Sequence, residues 1–250
     1  MKVQVIKSTL QDIQSFRTLF LEESNIQFVY NKCHLYGWSD EWLFLLDDTA
    51  IGYGSVWGTD NRKDRDTIFE FYILEAYRKY DMECFSGLLE QSGAIWIECQ
   101  TNDKLLSSML FQCSKHIIPD CILFEDYFPT SIVLPGIVFS KQETKDNERE
   151  DVLEYILTQN DVVVATGGLM LNYNEPFADL YMEVMDGYRN QGLGALMVQE
   201  LKRACYGIGR VLAARCNIDN KVSKATLLHA GMRICGFIVK GKLTYQVFDK

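Results

Sequence analysis

The octapeptide Tyr188-Arg-Asn-Gln-Gly-Leu-Gly-Ala195 narrows the choice of folds for this chain more than any other stretch. Before it, Leu180, Met182 and Val184 alternate with Tyr181, Glu183 and Met185, the period of a strand with two unlike faces. After it, Leu193, Met197 and Leu201 recur at helical spacing, with Lys202 and Arg203 outside that stripe. A strand, a short glycine-containing loop and a helix in that order read as part of an α/β chain. The first N–H groups of a helix have no partner within it and lie at the positive end of its dipole. Gly192 and Gly194 carry no side chain to hold an anion away from those donors. The backbone of Gln191, Gly192, Leu193, Gly194 and Ala195, with Arg189 and Asn190 beside it, therefore suits a pyrophosphate. A glycine turn ahead of an ordinary packing helix is the plainer alternative. The Arg-x-x-Gly-x-Gly spacing, with strand and helix both in place, favours the anion site.

The same order recurs, weakly, in the first half. Thr67–Glu83 matches Ala178–Gly194 in pattern: a strand, an acidic or small turn, then Tyr-Arg and an amphipathic helix (Cys84–Gln91 and Ala195–Cys205). Each helix leads to an apolar strand ending in Asn and Asp residues, Ala94–Asp103 and Val211–Asn220. Identity between the halves is low, so the repeat is one of order. It implies two lobes, residues 1–140 and 141–250. In the first, Asp81 and Glu83 stand where the second has glycines. Two carboxylates suit a helix start but repel a phosphate, so that lobe reads as structural, or as a wall of an acceptor cleft. Further elements are a helix over Leu10–Asn25 and two strands, Trp42–Asp47 and Ala50–Trp57, joined at an Asp-Asp turn. The polar passage Val138–Asp151 reads as the junction, with a helix of the second half starting near its end.

Charge excludes some functions. At a net −9 with no run of Lys and Arg, the chain is a poor partner for nucleic acid. None of the eight cysteines shows the paired spacing of a zinc site, and several lie in apolar runs, so they read as reduced, buried thiols with no metal role. His34, His116 and His229 are isolated and read as satisfied or surface residues. The N-terminus is too polar for a signal peptide and no apolar stretch reaches spanning length, so no membrane association and a cytoplasmic location are expected.

With Arg189, Gly192 and Gly194 in that spacing, the region from about Asp151 to Val239 resembles the GNAT superfamily of acyl-CoA N-acyltransferases. Asn217, Asn220, Ser223 and Ala230-Gly231-Met232 extend the likeness, being similar to the family's Asn-x-x-Ser helix closing on Ala-Gly-Phe. The resemblance implies an α/β (α+β) fold of two GNAT-like lobes, each a mixed, mostly antiparallel sheet flanked by helices. It implies acetyl-CoA as co-substrate, its pantetheine entering where strands splay after Met185 and Cys216 and pairing with the backbone of Glu183 and Val184. The acceptor would be a small-molecule amine or a peptide amine. Glu183 is the candidate base, since alternation sets it opposite Leu180, Met182 and Val184. The family's thiolate-protonating Tyr falls at Leu227 here, which leaves Tyr188, Tyr181 or water for that role. A non-catalytic acyl-CoA-binding or sensing protein is the alternative, and a purely structural interaction protein is a third.

Overall fold

The computed structural model describes residues 2–23, 26–27, 31–142 and 151–244. The chain forms two compact units: residues 1–26, 30–120 and 237–250 make the first, residues 27–29 and 121–236 the second. The division along the chain thus lies near residue 120 rather than 140, and the C-terminal segment returns to the first unit. The return has a local cause, because Ile238–Lys242 pairs antiparallel with Gln100–Trp96 of that unit.

The first unit runs β1 (Val3–Ser8), α1 (Leu10–Glu23), α2 (Asn31–Leu35), β2 (Ser39–Leu46), β3 (Thr49–Trp57), β4 (Thr67–Ile73), α3 (Asp81–Ser92), β5 (Trp96–Gln100) and α4 (Lys104–Cys113). Its strands lie in the order β1-β2-β3-β4-β5, followed by the C-terminal strand. They are antiparallel except for a short parallel pairing of β4 with β5. The expected Asp-Asp turn joins β2 to β3, with φ of +46° at Asp47 and +72° at Asp48. Two successive positive φ values match the twist of a two-residue hairpin, and Asp tolerates them better than most residues. Trp42, Phe44, Phe71, Phe85 and Leu88 pack in one buried cluster, so Trp42 and Phe44 serve the core.

Beside that core lies a buried polar network absent from the sequence reading. Arg17 Nε donates to both Glu70 carboxylate oxygens at 3.1–3.3 Å, and Tyr53 Oη donates to Glu70 Oε2 at 2.8 Å. His34 stands between two carboxylates, with Nδ1 2.7 Å from Glu41 and Nε2 3.2 Å from Glu70. Burial alone would raise the Glu70 pKa, yet Arg17 and His34 bring it down to about 2. Burial likewise opposes a charged His34, but Glu70 and Glu41 outweigh it and raise its pKa. A histidine raised on folding contributes stability that is complete below its unfolded pKa, about 6.5, and is lost as pH rises through the folded value. Asp103, pushed up to about 7 by burial, acts in the same direction at lower pH. The melting temperature of the first unit should therefore fall as pH rises above the ordinary histidine value of about 6.5, and His34→Gln should remove that dependence. A flat profile in the parent protein would contradict the charged His34.

The second unit takes up β6 (Ser114–Asp126) from Cys121 on and continues through β7 (Ile137–Lys141), β8 (Val152–Gln159), β9 (Val162–Met170), β10 (Phe177–Val184), α5 (Leu193–Gly207), β11 (Val211–Asn217) and α6 (Lys221–His229) to the start of β12 (Met232–Leu243), whose residues from Phe237 on belong to the first unit. Its sheet runs β6-β11-β10-β9-β8-β7, antiparallel except at β10–β11. Residues 138–141, expected within the junction, belong to the edge strand β7, which pairs with β8. The helix expected to start near Asp151 is instead β8, where Tyr155 and Leu157 are buried at a spacing of two, the period of a strand. Residues 143–150 lie outside the described residues. Leu193, Met197 and Leu201 are buried along α5 as expected, but Lys202 is buried too. Its ammonium is 2.6 Å from Asp126 and donates to the Phe128 carbonyl at 2.7 Å, so both charge and donors are satisfied. The chain is α/β, with mixed sheets flanked by helices.

Candidate active site

The geometry starts at the parallel pair. β10 and β11 are in register only at Phe177–Val211, Ala178–Leu212 and Asp179–Ala213. Beyond that point each keeps only its outer neighbour: β10 stays with β9 to Val184, and β11 stays with β6 to Asn217. The strands therefore part after Asp179 and Ala213, earlier than the expected Met185 and Cys216. The opening leads into a cleft of about 1000 Å³ lined by β10, the loop after it, the start of α5, Arg215 and α6.

Parting leaves the inner edge of β10 without a ladder partner. Met185 N donates to the Val164 carbonyl, which fixes the phase of the strand. Backbone groups alternate sides along a strand, so those of Glu183 face β9 while those of Leu180, Met182 and Val184 face the cleft. The Glu183 backbone, expected to pair with a ligand, is therefore turned to β9, and Met182 and Val184 are the residues whose backbone faces the cleft.

After Val184 the chain makes a short 3-10 turn at Asp186–Tyr188 and reaches α5 through Arg189–Gly192. Arg189 folds back: Nε donates to the Val184 carbonyl at 3.2 Å and Nη2 lies 2.8 Å from Asp186 and 3.9 Å from Glu183. Asn190 and Gly192 have φ of +62° and +82°, which turns backbone groups of the loop into a concave path. Gly192 is the N-cap of α5 and no side chain caps the helix start. The amides at that end, which have no acceptor inside the helix, suit an anion. The two glycines serve different ends. A side chain at Gly192 would be strained by its φ, whereas a Cβ at Gly194 would stand 3.0 Å from Thr226 Cγ2 and 3.2 Å from Met182 Cε. Gly194 thus stands where α5 comes close to side chains of β10 and α6.

The cleft brings together Glu183, Val184, Tyr188, Arg189, Asn190, Gly192, Leu193, Gly194, Ala195, Asn220 and Ser223. Met185, Gln191 and Asn217 do not line it. Asn217 instead accepts a hydrogen bond from Asp219 N at 3.0 Å, and Asn220 caps α6 by accepting from Ser223 N at 2.9 Å. Glu183 projects on the face opposite Met182 with 70% of its side chain exposed, accessible to an acceptor and to water. Leu227 is buried in α6 and offers no proton. Tyr181 Oη is directed to Glu154 at 3.3 Å, which leaves Tyr188 the phenol of the loop itself. Sequence reasoning missed the cleft residues Val222, Thr226 and His229. Their spacing of four and three places them on one helical face, a signal present once α6 is assigned.

The first unit repeats this geometry without the anion site. β4 and β5 pair only at Thr67–Trp96 and Ile68–Ile97, and Arg78 Nε reaches the Ile73 carbonyl at 3.4 Å as Arg189 reaches that of Val184. Asp103 caps α4 as Asn220 caps α6. At the start of α3, however, the Asp81 carboxylate accepts from Met82 N at 2.6 Å, and Glu83 adds a second negative charge. A protein carboxylate takes the place that a phosphate needs.

Comparison with known proteins agrees with this geometry. A family signature described as an acetyltransferase (GNAT) domain matches residues 9–127, and one described as the acetyltransferase (GNAT) family matches residues 122–232. Among solved structures, a GNAT-family acetyltransferase from Colwellia psychrerythraea is 14% identical with a TM-score of 0.77, covering 98% of this chain and 100% of that one. A tandem GNAT protein from the clavulanic acid biosynthesis pathway is 9% identical with a TM-score of 0.64, covering 96% and 98%. A GCN5-related N-acetyltransferase from Sphaerobacter thermophilus is 12% identical with a TM-score of 0.60, covering 96% and 95%. At such identities the likeness concerns the fold. No protein of curated function matches the sequence significantly. No helix among the described residues is long and apolar enough to cross a membrane.

Proposed function

Since the chain belongs to the GNAT acetyltransferase superfamily, with two such domains in tandem, we propose that its second unit transfers an acetyl group from acetyl-CoA to an amine. The reading rests on one observation above the others: the uncapped start of α5 opens into the same cleft as the unpaired edge of β10 and the Glu183 carboxylate. Acetyl-CoA would supply the thioester whose carbonyl the amine attacks. The amides of Gly192–Ala195 hold the pyrophosphate, and Arg189 adds a positive charge beside them. Met182 and Val184 offer backbone donors and acceptors to the pantetheine arm. Glu183 takes the proton that an ammonium must lose before it can attack, directly or through water. Tyr188 is the nearest candidate to protonate the departing thiolate, with water as the other donor.

The assignment has a direct test. Incubation of the protein and acetyl-CoA with a panel of amines should release CoA thiol above the rate without amine. Calorimetric titration should give one CoA per chain, because Asp81 and Glu83 occupy the equivalent place in the first unit. Two equivalent sites would contradict that asymmetry. The buried Leu227 favours a second reading, a protein that binds acyl-CoA without turning it over. Tight binding with no thiol release from any amine would select it.

A further inference from the structure

We propose that the acceptor amine is the amino end of a polypeptide, laid extended across the exposed face of the second unit's sheet with a basic third or fourth residue against Glu154. The inference rests on the transferase reading above and adds to it the chemical class of the acceptor.

The two copies treat this face differently. In the first unit α1 covers it: Arg17 meets Glu70, and the Phe20 ring lies 6.3 and 6.0 Å from those of Tyr53 and Tyr72. Tyr72, the counterpart of Glu183 in the repeat, is 2% exposed. In the second unit the chain passes from β7 to β8 in residues 142–151, fewer than the 14 of α1. The Glu183 side chain is 70% exposed, and Val138 and Val163 on the same face are 60% and 38% exposed. The face that α1 buries in one copy is left exposed in the other, beside the candidate base.

Register sets the path across it. Glu183 is level with Thr166, Ile156 and Ser140 on β9, β8 and β7, and residues directly opposite each other point to the same side. From Glu183 to Ser140 is three strand spacings, about 14 Å, or about four steps of an extended chain. That length suits a peptide better than a small amine. On one side of the path lies the row Tyr181, Gly168 and Glu154. Gly168 keeps this row low, since a Cβ there would stand 2.6 Å from Tyr181 Cζ. On the other side lies the row Val163, Thr158 and Val138, apolar at both ends. Charge then selects the peptide. The Glu154 carboxylate accepts from Tyr181 Oη at 3.3 Å, and no Lys or Arg among the described residues pairs with it. Glu183 and Asp186 share a single cation, Arg189. A peptide whose amino end is at Glu183 brings its third or fourth residue over β8, where a basic side chain reaches Glu154.

The test measures release of CoA thiol from peptide amides of one to seven residues, each with a free amino end. kcat/KM should rise by about tenfold up to five residues and then level off, because later residues pass beyond β7. Lysine in place of glutamine at the third or fourth residue should add about fivefold, the upper end for an exposed ion pair. Glu154→Gln should abolish that lysine preference and leave the single-residue amide unaffected. Ser140→Arg, at an exposed site outside the catalytic machinery, should raise KM for the five-residue peptide by about fivefold, with kcat unchanged. Equal kcat/KM for one and five residues overturns the proposal, as does a lysine preference that persists in Glu154→Gln. Activity confined to peptides blocked at the amino end, through a lysine side chain, overturns it as well. Thiol release from small amines with no gain from length sinks this proposal alone, whereas none from any amine or peptide overturns the transferase reading itself.

Discussion

Replacing Glu183 by Gln is expected to lower turnover by at least about tenfold, general-base catalysis being typically worth about a hundred- to ten-thousandfold. Acetyl-CoA affinity should stay within about twofold of the parent value. The separation of the two effects comes from the strand. The Glu183 backbone faces β9 while Met182 and Val184 face the cleft, so the side chain can change without touching the edge proposed to hold pantetheine. Nor does the substitution loosen the anion loop, because Arg189 keeps its 2.8 Å contact with Asp186 and its bond to the Val184 carbonyl. The 3.9 Å approach of Arg189 to Glu183, exposed on both sides, contributes little. Gln preserves shape and most hydrogen bonding but cannot accept a proton. The deficit should be greatest near neutral pH, where an amine is mostly charged, and shrink as pH rises towards the amine pKa. Full activity across pH would reduce Glu183 to a strand residue. A loss of acetyl-CoA affinity would mean that its side chain supports the cofactor and that the base lies elsewhere.

Gly192→Asp should weaken CoA binding by about a hundredfold relative to Gly192→Asn. The pair of variants is chosen from the backbone. With φ of +82°, the position strains any side chain, and Asn and Asp are the residues that enter this region at least cost. The space accepts them: a Cβ there would meet only Leu134 methyls, at 3.8 Å. Both are favourable N-caps, so their effects on α5 are alike and the comparison isolates charge. A carboxylate about 6 Å from a phosphate repels it by about 3 kcal/mol at the effective dielectric of a protein surface, which is about a hundredfold in affinity. Asp81 and Glu83 already stand at the equivalent positions of the first unit, so the variant makes the second unit resemble the first. Isothermal titration of both variants checks the prediction. Equal affinities would mean that the phosphates bind away from the α5 amides.

Much of the second unit was legible because its signals are local. The alternation before Met185, the glycines at 192 and 194 and the 193/197/201 stripe each follow from contacts within a turn or a strand. They yielded β10, the loop and α5 to within a few residues. The Asn220 cap and the Asp-Asp hairpin were legible for the same reason. Even the order of elements in the weak first copy could be read, since strand and helix periods survive when identity does not. Repeated geometry, such as Arg78 on Ile73 and Arg189 on Val184, then shows the duplication that identity could not.

Only the tertiary structure decided what depends on partners distant in sequence. Where β10 and β11 part is set by which neighbour each keeps, and no local pattern records the loss of a partner. That point moved the opening from Met185 back to Asp179 and brought Arg215 beside it. Burial of charge was equally hidden: Lys202 looked like a surface residue, and Arg17, His34 and Glu70 carried no motif, until their counter-charges were brought within 2.6–3.2 Å. Helical and strand periods report which face is apolar, but a buried ion pair depends on two faces meeting. The sequence alone therefore determined β10, the glycine loop after it and α5, through short-range backbone preference and side-chain periodicity. The tertiary structure decided the shape of the cleft and the pairing of its charges, because those energies arise only when separate strands and helices pack.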